Sequence, residues 1–190
     1  MQHQQKAILF SAPSGCGKTT IIKRLLDYFD CFEFSISATS RKPRSGEEHG
    51  KDYYFMTHEE FLHRVAQHEF LEWEEVYEGT CYGTLKSEPQ RIWDNGKVIV
   101  FDVDVNGGKN LKRYFGDKAL SIFVMPPSVE VLEQRLRSRG TESEESIAKR
   151  LGRSAMELKE SGNFDVTIVN DDLDTAVEET RRIVDQFLKQ

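Results

Sequence analysis

The sequence predicts an α/β fold: a parallel sheet with helices on both faces, interrupted by an inserted lobe. Three observations predict it. Val98-Ile99-Val100-Phe101-Asp102 and Leu120-Ser121-Ile122-Phe123-Val124 are apolar runs that do not alternate cleanly, as suits strands covered on both sides. The chain opens on a strand-like run, a Gly/Ser/Pro loop and a helical pattern, the start of a βα unit. Between residues 35 and 88 the pattern shifts to short mixed segments, which marks an inserted lobe.

The elements follow in order. Lys6-Ala7-Ile8-Leu9-Phe10-Ser11 reads as a short buried strand, and residues 12–17 as a loop. Ile21, Ile22, Leu25, Leu26 and Phe29 have helical spacing over 19–29. Phe34-Ser35-Ile36-Ser37-Ala38-Thr39 alternates like a single half-exposed strand. Asp52-Tyr53-Tyr54-Phe55 and Phe70-Leu71-Glu72-Trp73 read as further short strands, with a helix over 58–68 between them, N-capped by Thr57. After the two apolar strands, helices are predicted over 129–139 and 143–159. A last strand, 166–170, and an amphipathic helix, 173–188, close the chain.

The chain has 190 residues, 38% apolar and 31% charged, an ordinary balance for one globular domain with small insertions. No apolar run approaches the roughly 20 residues that span a bilayer. The first residues show no signal-peptide pattern, so cytoplasmic residence is the expectation, with no membrane partner. A net charge of −6 argues against a general nucleic-acid binder, while leaving room for a local basic pocket. Cys16, Cys31 and Cys81 have no metal-ligand spacing and read as free thiols, that of Cys16 open to oxidation or alkylation.

Ala12-Pro13-Ser14-Gly15-Cys16-Gly17-Lys18-Thr19 nearly matches the Walker A pattern, with Ala12 where that pattern has Gly. Glycines let backbone N–H groups converge on an anion, and the following helix adds its positive end. Lys18 would reach the β- and γ-phosphates of a nucleotide, and Thr19 would hold Mg²⁺, with Thr20 completing the loop. Asp102 ends an apolar strand, the place of a second carboxylate that orients the ion.

These motifs, taken with others in order, closely resemble the guanylate kinase family over roughly residues 8–188. The others are Ser37-Ala38-Thr39-Ser40-Arg41-Lys42-Pro43-Arg44-Ser45-Gly46-Glu47, then Gly50-Lys51-Asp52-Tyr53-Tyr54-Phe55, Phe70-Leu71-Glu72-Trp73, Tyr82-Gly83-Thr84, Asp102-Val103-Asp104 with Gly107, the run 139–147, and Ile168-Val169-Asn170-Asp171-Asp172. The resemblance implies transfer of a phosphoryl group from ATP, with Mg²⁺, to GMP, and dGMP as a further acceptor. It implies a P-loop core (1–34, 89–127, 161–190), a GMP-binding lobe (35–88) and a lid (128–160). Ser37, Glu72, Thr84 and Asp104 then resemble guanine-reading residues. Arg41, Arg44, Tyr53 and Tyr82 resemble a clamp on the GMP phosphate. Arg135, Arg139 and Arg150 resemble arginines around the ATP side, and Asn170 a residue near the adenine.

Those roles make chemical sense. Two arginines flanking Pro43 form a fork suited to a phosphate dianion. A carboxylate at Glu72 accepts from the N1–H and N2–H₂ edge of guanine, a pair of donors adenine lacks. The chain departs from the family before Tyr82, where Glu78-Gly79-Thr80-Cys81 stands for the usual Gly-Asn-Tyr and lengthens the loop by one residue. Three other readings compete. Asp104-Val105-Asn106-Gly107 fits the Asp-x-x-Gly signature of GTPases, but no Asn-Lys-x-Asp motif accompanies it. A non-catalytic interaction module would not need the intact Lys18 and Thr19. A sugar-phosphate kinase would not need Glu72 with Ser37.

Overall fold

The structure, a computed structural model, describes residues 5–138 and 144–190. Five parallel strands form the central sheet in the order β2-β7-β1-β8-β9: β1 Ala7–Ser11, β2 Phe32–Phe34, β7 Val98–Val103, β8 Ala119–Met125 and β9 Val166–Val169. Both faces are apolar, which is why the strands do not alternate. On one face Ile8 and Phe10 of β1 pack with α1 (Lys18–Tyr28), α5 (Val129–Ser138) and α7 (Leu173–Leu188). On the other, Ala7 and Leu9 pack with α3 (Ser87–Asp94) and α4 (Val105–Phe115). Helix α6, Glu144–Leu158, follows α5.

A second sheet, β4-β3-β6-β5, contains β3 (Ala38–Thr39), β4 (Tyr54–Phe55), β5 (Phe70–Tyr77) and β6 (Thr80–Leu85). Helix α2, His58–Ala66, lies between β4 and β5, and Thr57 caps it by accepting from the Glu60 N–H. This sheet has a core of its own: Ala38, Phe61, Phe70, Cys81 and Leu85.

The expected strand over 34–39 is two strands in two sheets. β2 ends where the Ser35 N–H donates to the Val100 carbonyl; the Ile36 N–H then turns to Glu88, and the chain enters the second sheet at Ala38. Alternation is blind to this switch, because β3 is only two residues long and buries the polar Thr39 as fully as Ala38. β5 is longer than Phe70-Leu71-Glu72-Trp73 suggests, since it is carried by its hairpin with β6, with irregular register at both ends. Helices α3 and α4 are not expected from the sequence. Each carries few apolar residues; α4 holds Gly107-Gly108 where closeness to β1 decides the fold, a Cβ on Gly108 falling 2.5 Å from Ser11 Oγ. No helix among the described residues is long and apolar enough to cross a membrane.

Candidate active site

The phosphate loop joins the carboxyl end of β1 to the amino end of α1, where α/β sheets bind ligands. Gly15 and Gly17 have φ of +96° and +86°, which L side chains rarely adopt. Ala12 is not among the residues with positive φ, so Ala serves there as well as Gly. Lys18 Nζ lies 2.6 Å from Asp102 Oδ1 and donates to the Val103 carbonyl at 2.8 Å. Thr19 Oγ1 donates to Asp102 Oδ2 at 3.4 Å, so one carboxylate spans both loop side chains.

Residues 12–20 line a cavity of about 410 Å³ together with Asp102, Val103, Asp104 and the α6 residues Arg150, Arg153, Ser154 and Glu157. Arg150 donates to Ser14 Oγ at 3.0 Å, and Arg153 reaches Glu157 at 2.7 Å. Ser154 and Glu157 were not expected, nor was Arg153; helical spacing from Arg150 is the signal that finds all three. Arg135 turns to the backbone, donating to the carbonyls of Asn170 at 3.0 Å and Asp171 at 3.4 Å. Arg139 and the rest of 139–143 lie outside the described residues. Cys16 is fully buried, and burial pushes its thiol up to about 12. That corrects the expected reactivity, because a thiol without thiolate character is a poor nucleophile.

A second cavity, of about 140 Å³, is lined by Ser37, Tyr53, Glu72, Glu74, Val76, Tyr82 and Gly83, and by the same Asp102, Val103 and Asp104. Thr84 is fully buried and donates to Glu72 Oε1 at 2.7 Å, so it holds the carboxylate from behind. Asp104 caps α4 by accepting from the Gly107 N–H at 2.7 Å, which accounts for the Asp-x-x-Gly spacing as a helix start. Burial pushes Glu72 up to about 7; the Thr84 hydrogen bond opposes that, and the charge of Asp104 adds to it. Glu74 is likewise raised to about 7, by burial and then by Asp104. Sequence reasoning missed Glu74, although two residues on from Glu72 along a strand is the same face.

At the cavity's other end, Arg41 donates through Nε to Tyr82 Oη at 3.2 Å. Its other nitrogens grip Glu47 at 2.6 and 2.7 Å, and its guanidinium lies 5.0 Å from the Tyr53 ring centroid. Tyr82 therefore reaches Arg41 despite the altered loop before it, while Cys81 turns into the lobe's core. Glu47 also accepts from the Arg44 N–H at 2.7 Å, and Arg41 with that N–H holds it down at about 2. The Arg44 side chain is exposed.

A glycine loop between strand and helix, a lysine and a hydroxyl on one carboxylate, and an adjoining cavity lined by carboxylates define a P-loop α/β protein. A family model described as guanylate kinase matches residues 4–187. Guanylate kinase from Porphyromonas gingivalis is 50% identical over 184 residues, covering 96% of this chain and 98% of the relative. That from Bacteroides thetaiotaomicron is 50% identical over 185 residues, covering 97% and 91%. Among solved structures, guanylate kinase from Anaplasma phagocytophilum superposes with a TM-score of 0.76 at 29% identity, covering 97% of this chain and 87% of that one. Shikimate kinase from B. thetaiotaomicron, at 13% identity and a TM-score of 0.51, shares the fold alone. The chain belongs to the guanylate kinase family, whose members are nucleoside-monophosphate kinases.

Proposed function

We propose that the protein transfers the γ-phosphoryl group of ATP to GMP, with ATP in the larger cavity and GMP in the smaller. The observation that carries this is the shared wall: Asp102, Val103 and Asp104 line both cavities, so donor and acceptor phosphates meet beside Lys18. A GMP phosphate oxygen bonds to the γ-phosphorus as the β,γ-bridging oxygen leaves with its electron pair on ADP. The nucleophile is already anionic, so the reaction requires positioning and charge neutralisation more than a base.

Arg41, with Tyr53 and Tyr82, holds the acceptor phosphate, and Arg44 stands at its open side. Glu72 reads the guanine edge with Ser37 and Asp104. Backbone N–H groups of residues 15–19 hold the ATP phosphates while Lys18 and Arg150 offset charge on the transferring group. The hydroxyl of Thr19 and the carboxylate of Asp102 are hard oxygen donors side by side, which fits Mg²⁺ with water and phosphate as its remaining ligands. Bound there, the ion would neutralise β- and γ-phosphate charge. Residues 128–160, bearing the arginines, act as a lid that excludes water.

ADP formation measured with GMP, dGMP, AMP and ribose phosphate tests this. GMP should be the best acceptor, dGMP should be used, and AMP should be poorer by roughly 10⁴-fold. ADP formation independent of acceptor, or faster with a ribose phosphate than with GMP, overturns it.

A further inference from the structure

Asn170 follows β9 and is 4% exposed. Its side-chain Nδ2 donates to the Cys16 carbonyl at 2.8 Å, across 154 residues of sequence. Its backbone N–H donates to Met125 O at 2.8 Å, and its own carbonyl accepts from Arg135. Asn170 therefore stands between the sheet, the α5 arginine and the phosphate loop. The fit against the loop is tight: a Cβ on Gly17 would fall 2.2 Å from Asn170 Nδ2. Only the NH₂ end of an amide can donate to a carbonyl, which fixes the side chain's orientation. Its Oδ1 is buried with no hydrogen-bond partner among the described residues. An orphaned buried oxygen is costly, so the bond at the other end is what holds this arrangement.

The peptide plane gives that bond a consequence. In a trans peptide the carbonyl of one residue and the N–H of the next point in opposite directions. Drawing the Cys16 carbonyl outward to Asn170 aims the Gly17 N–H the other way, into the cavity the loop surrounds. A flipped plane would instead turn a carbonyl oxygen toward phosphate and remove a donor.

We propose that Asn170 is a positioning residue for polyphosphate: it sets the Cys16–Gly17 peptide plane so that the loop presents N–H groups to the ATP phosphates. This goes beyond a place beside the adenine, and it rests on the reading of the larger cavity as the ATP site. The two roles separate with a probe that has no base.

Titration calorimetry with ADP and with tripolyphosphate, on the wild type, Asn170→Ala and Asn170→Asp, decides between them. Both variants should bind both probes about tenfold more weakly, by the same factor, the worth of one hydrogen bond that orients a donor. GMP affinity should stay at the wild-type value. Asn170→Asp keeps the shape without the donor, so it should bind no better than Asn170→Ala. Loss of ADP affinity with tripolyphosphate unchanged would assign Asn170 to the base and overturn the proposal. So would wild-type affinity for both probes in Asn170→Asp, or an equal loss of GMP affinity. A wild type that binds neither probe overturns the ATP site, and this role with it.

Discussion

On the proposed reading, the two cavities recognise their ligands by opposite means. The larger is lined mainly by one contiguous stretch, residues 12–20, joined by Asp102, Val103, Asp104 and four residues of α6, and Cys16 turns its side chain into the core. The smaller is gathered from segments far apart in sequence, with Ser37, Tyr53, Glu72, Tyr82 and Asp104 among its lining residues. An anion with no preferred face can be held by amides fixed through glycine conformations. A base is distinguished by the pattern of donors on its edge, which takes carboxylates desolvated enough to be selective. The charged side chains differ too: Lys18, Arg150 and Arg153 stand with Asp102, Asp104 and Glu157 around the larger cavity, while the lining of the smaller holds Glu72, Glu74, Asp102 and Asp104, with Glu72 and Glu74 raised to about 7.

The largest effect that can break this contrast is expected at Glu72. Glu72→Gln should collapse much of a GMP-over-AMP preference of roughly 10⁴ while leaving the ATP KM nearly unchanged. Equal ratios of kcat/KM in variant and wild type would mean that guanine is read elsewhere. Lys18→Ala should cut kcat by on the order of 10³-fold or more with GMP affinity retained, because the acceptor cavity keeps its own clamp. Near-normal turnover would remove the phosphoryl-transfer assignment.

Arg150→Ala comes next, with kcat lower by about 10²-fold and little change in melting temperature, since the side chain packs at a cavity mouth and not in the core. A large fall in melting temperature at unchanged kcat would make it structural.

The smallest effect sharpens the comparison through pH. Glu72 must be ionised to accept two guanine donors, so below about pH 7 the GMP KM should rise by up to about tenfold per unit while the ATP KM stays flatter. Its folded pKa is raised above the ordinary carboxylate value of 4.5. The stability tied to it is therefore fully present below about pH 4.5 and is lost as pH rises through about 7. Glu72→Gln should accordingly melt higher than the wild type at pH 8 without ligand, and that advantage should vanish near pH 4. A constant difference across that range would show that Glu72 is not held against its charge.

The phosphate loop and the flanking β1 and α1 were legible because motif and period lie in one run of residues. So was the parallel core, from its non-alternating strands. The smaller cavity was reachable only through the ordered motifs of a family, since no local pattern ties Ser37 to Glu72 or Asp104. Glu74 shows the limit: no motif contains it, and its raised pKa comes first from burial and then from the Asp104 carboxylate, thirty residues on in sequence. Helices α3 and α4 were hidden for a related reason. Part of what they bury is not strongly apolar, Glu88 and Pro89 in α3 and Gly107 and Gly108 in α4, and at Gly107 a Cβ would fall 3.0 Å from Glu72 Oε2.

Glu88 lies at a crossing of the chain. It is 1% exposed, and its carboxylate accepts from the Ile36 N–H at 2.8 Å, from Tyr54 Oη at 2.8 Å and from Arg91 at 2.9 and 3.0 Å. Ile36 is where the chain departs the central sheet, and Glu88 sits in the first turn of the helix that brings it back. The fifty-odd residues between are thus an excursion whose two ends touch, enclosing a separate apolar core. Such a detour asks almost nothing of the host: β2, α3 and β7 would connect as an ordinary βαβ unit if it were shortened to a turn. On the proposed reading, acceptor choice could therefore be varied largely by exchanging one segment, with Asp102, Val103 and Asp104 of the smaller cavity still supplied by the core.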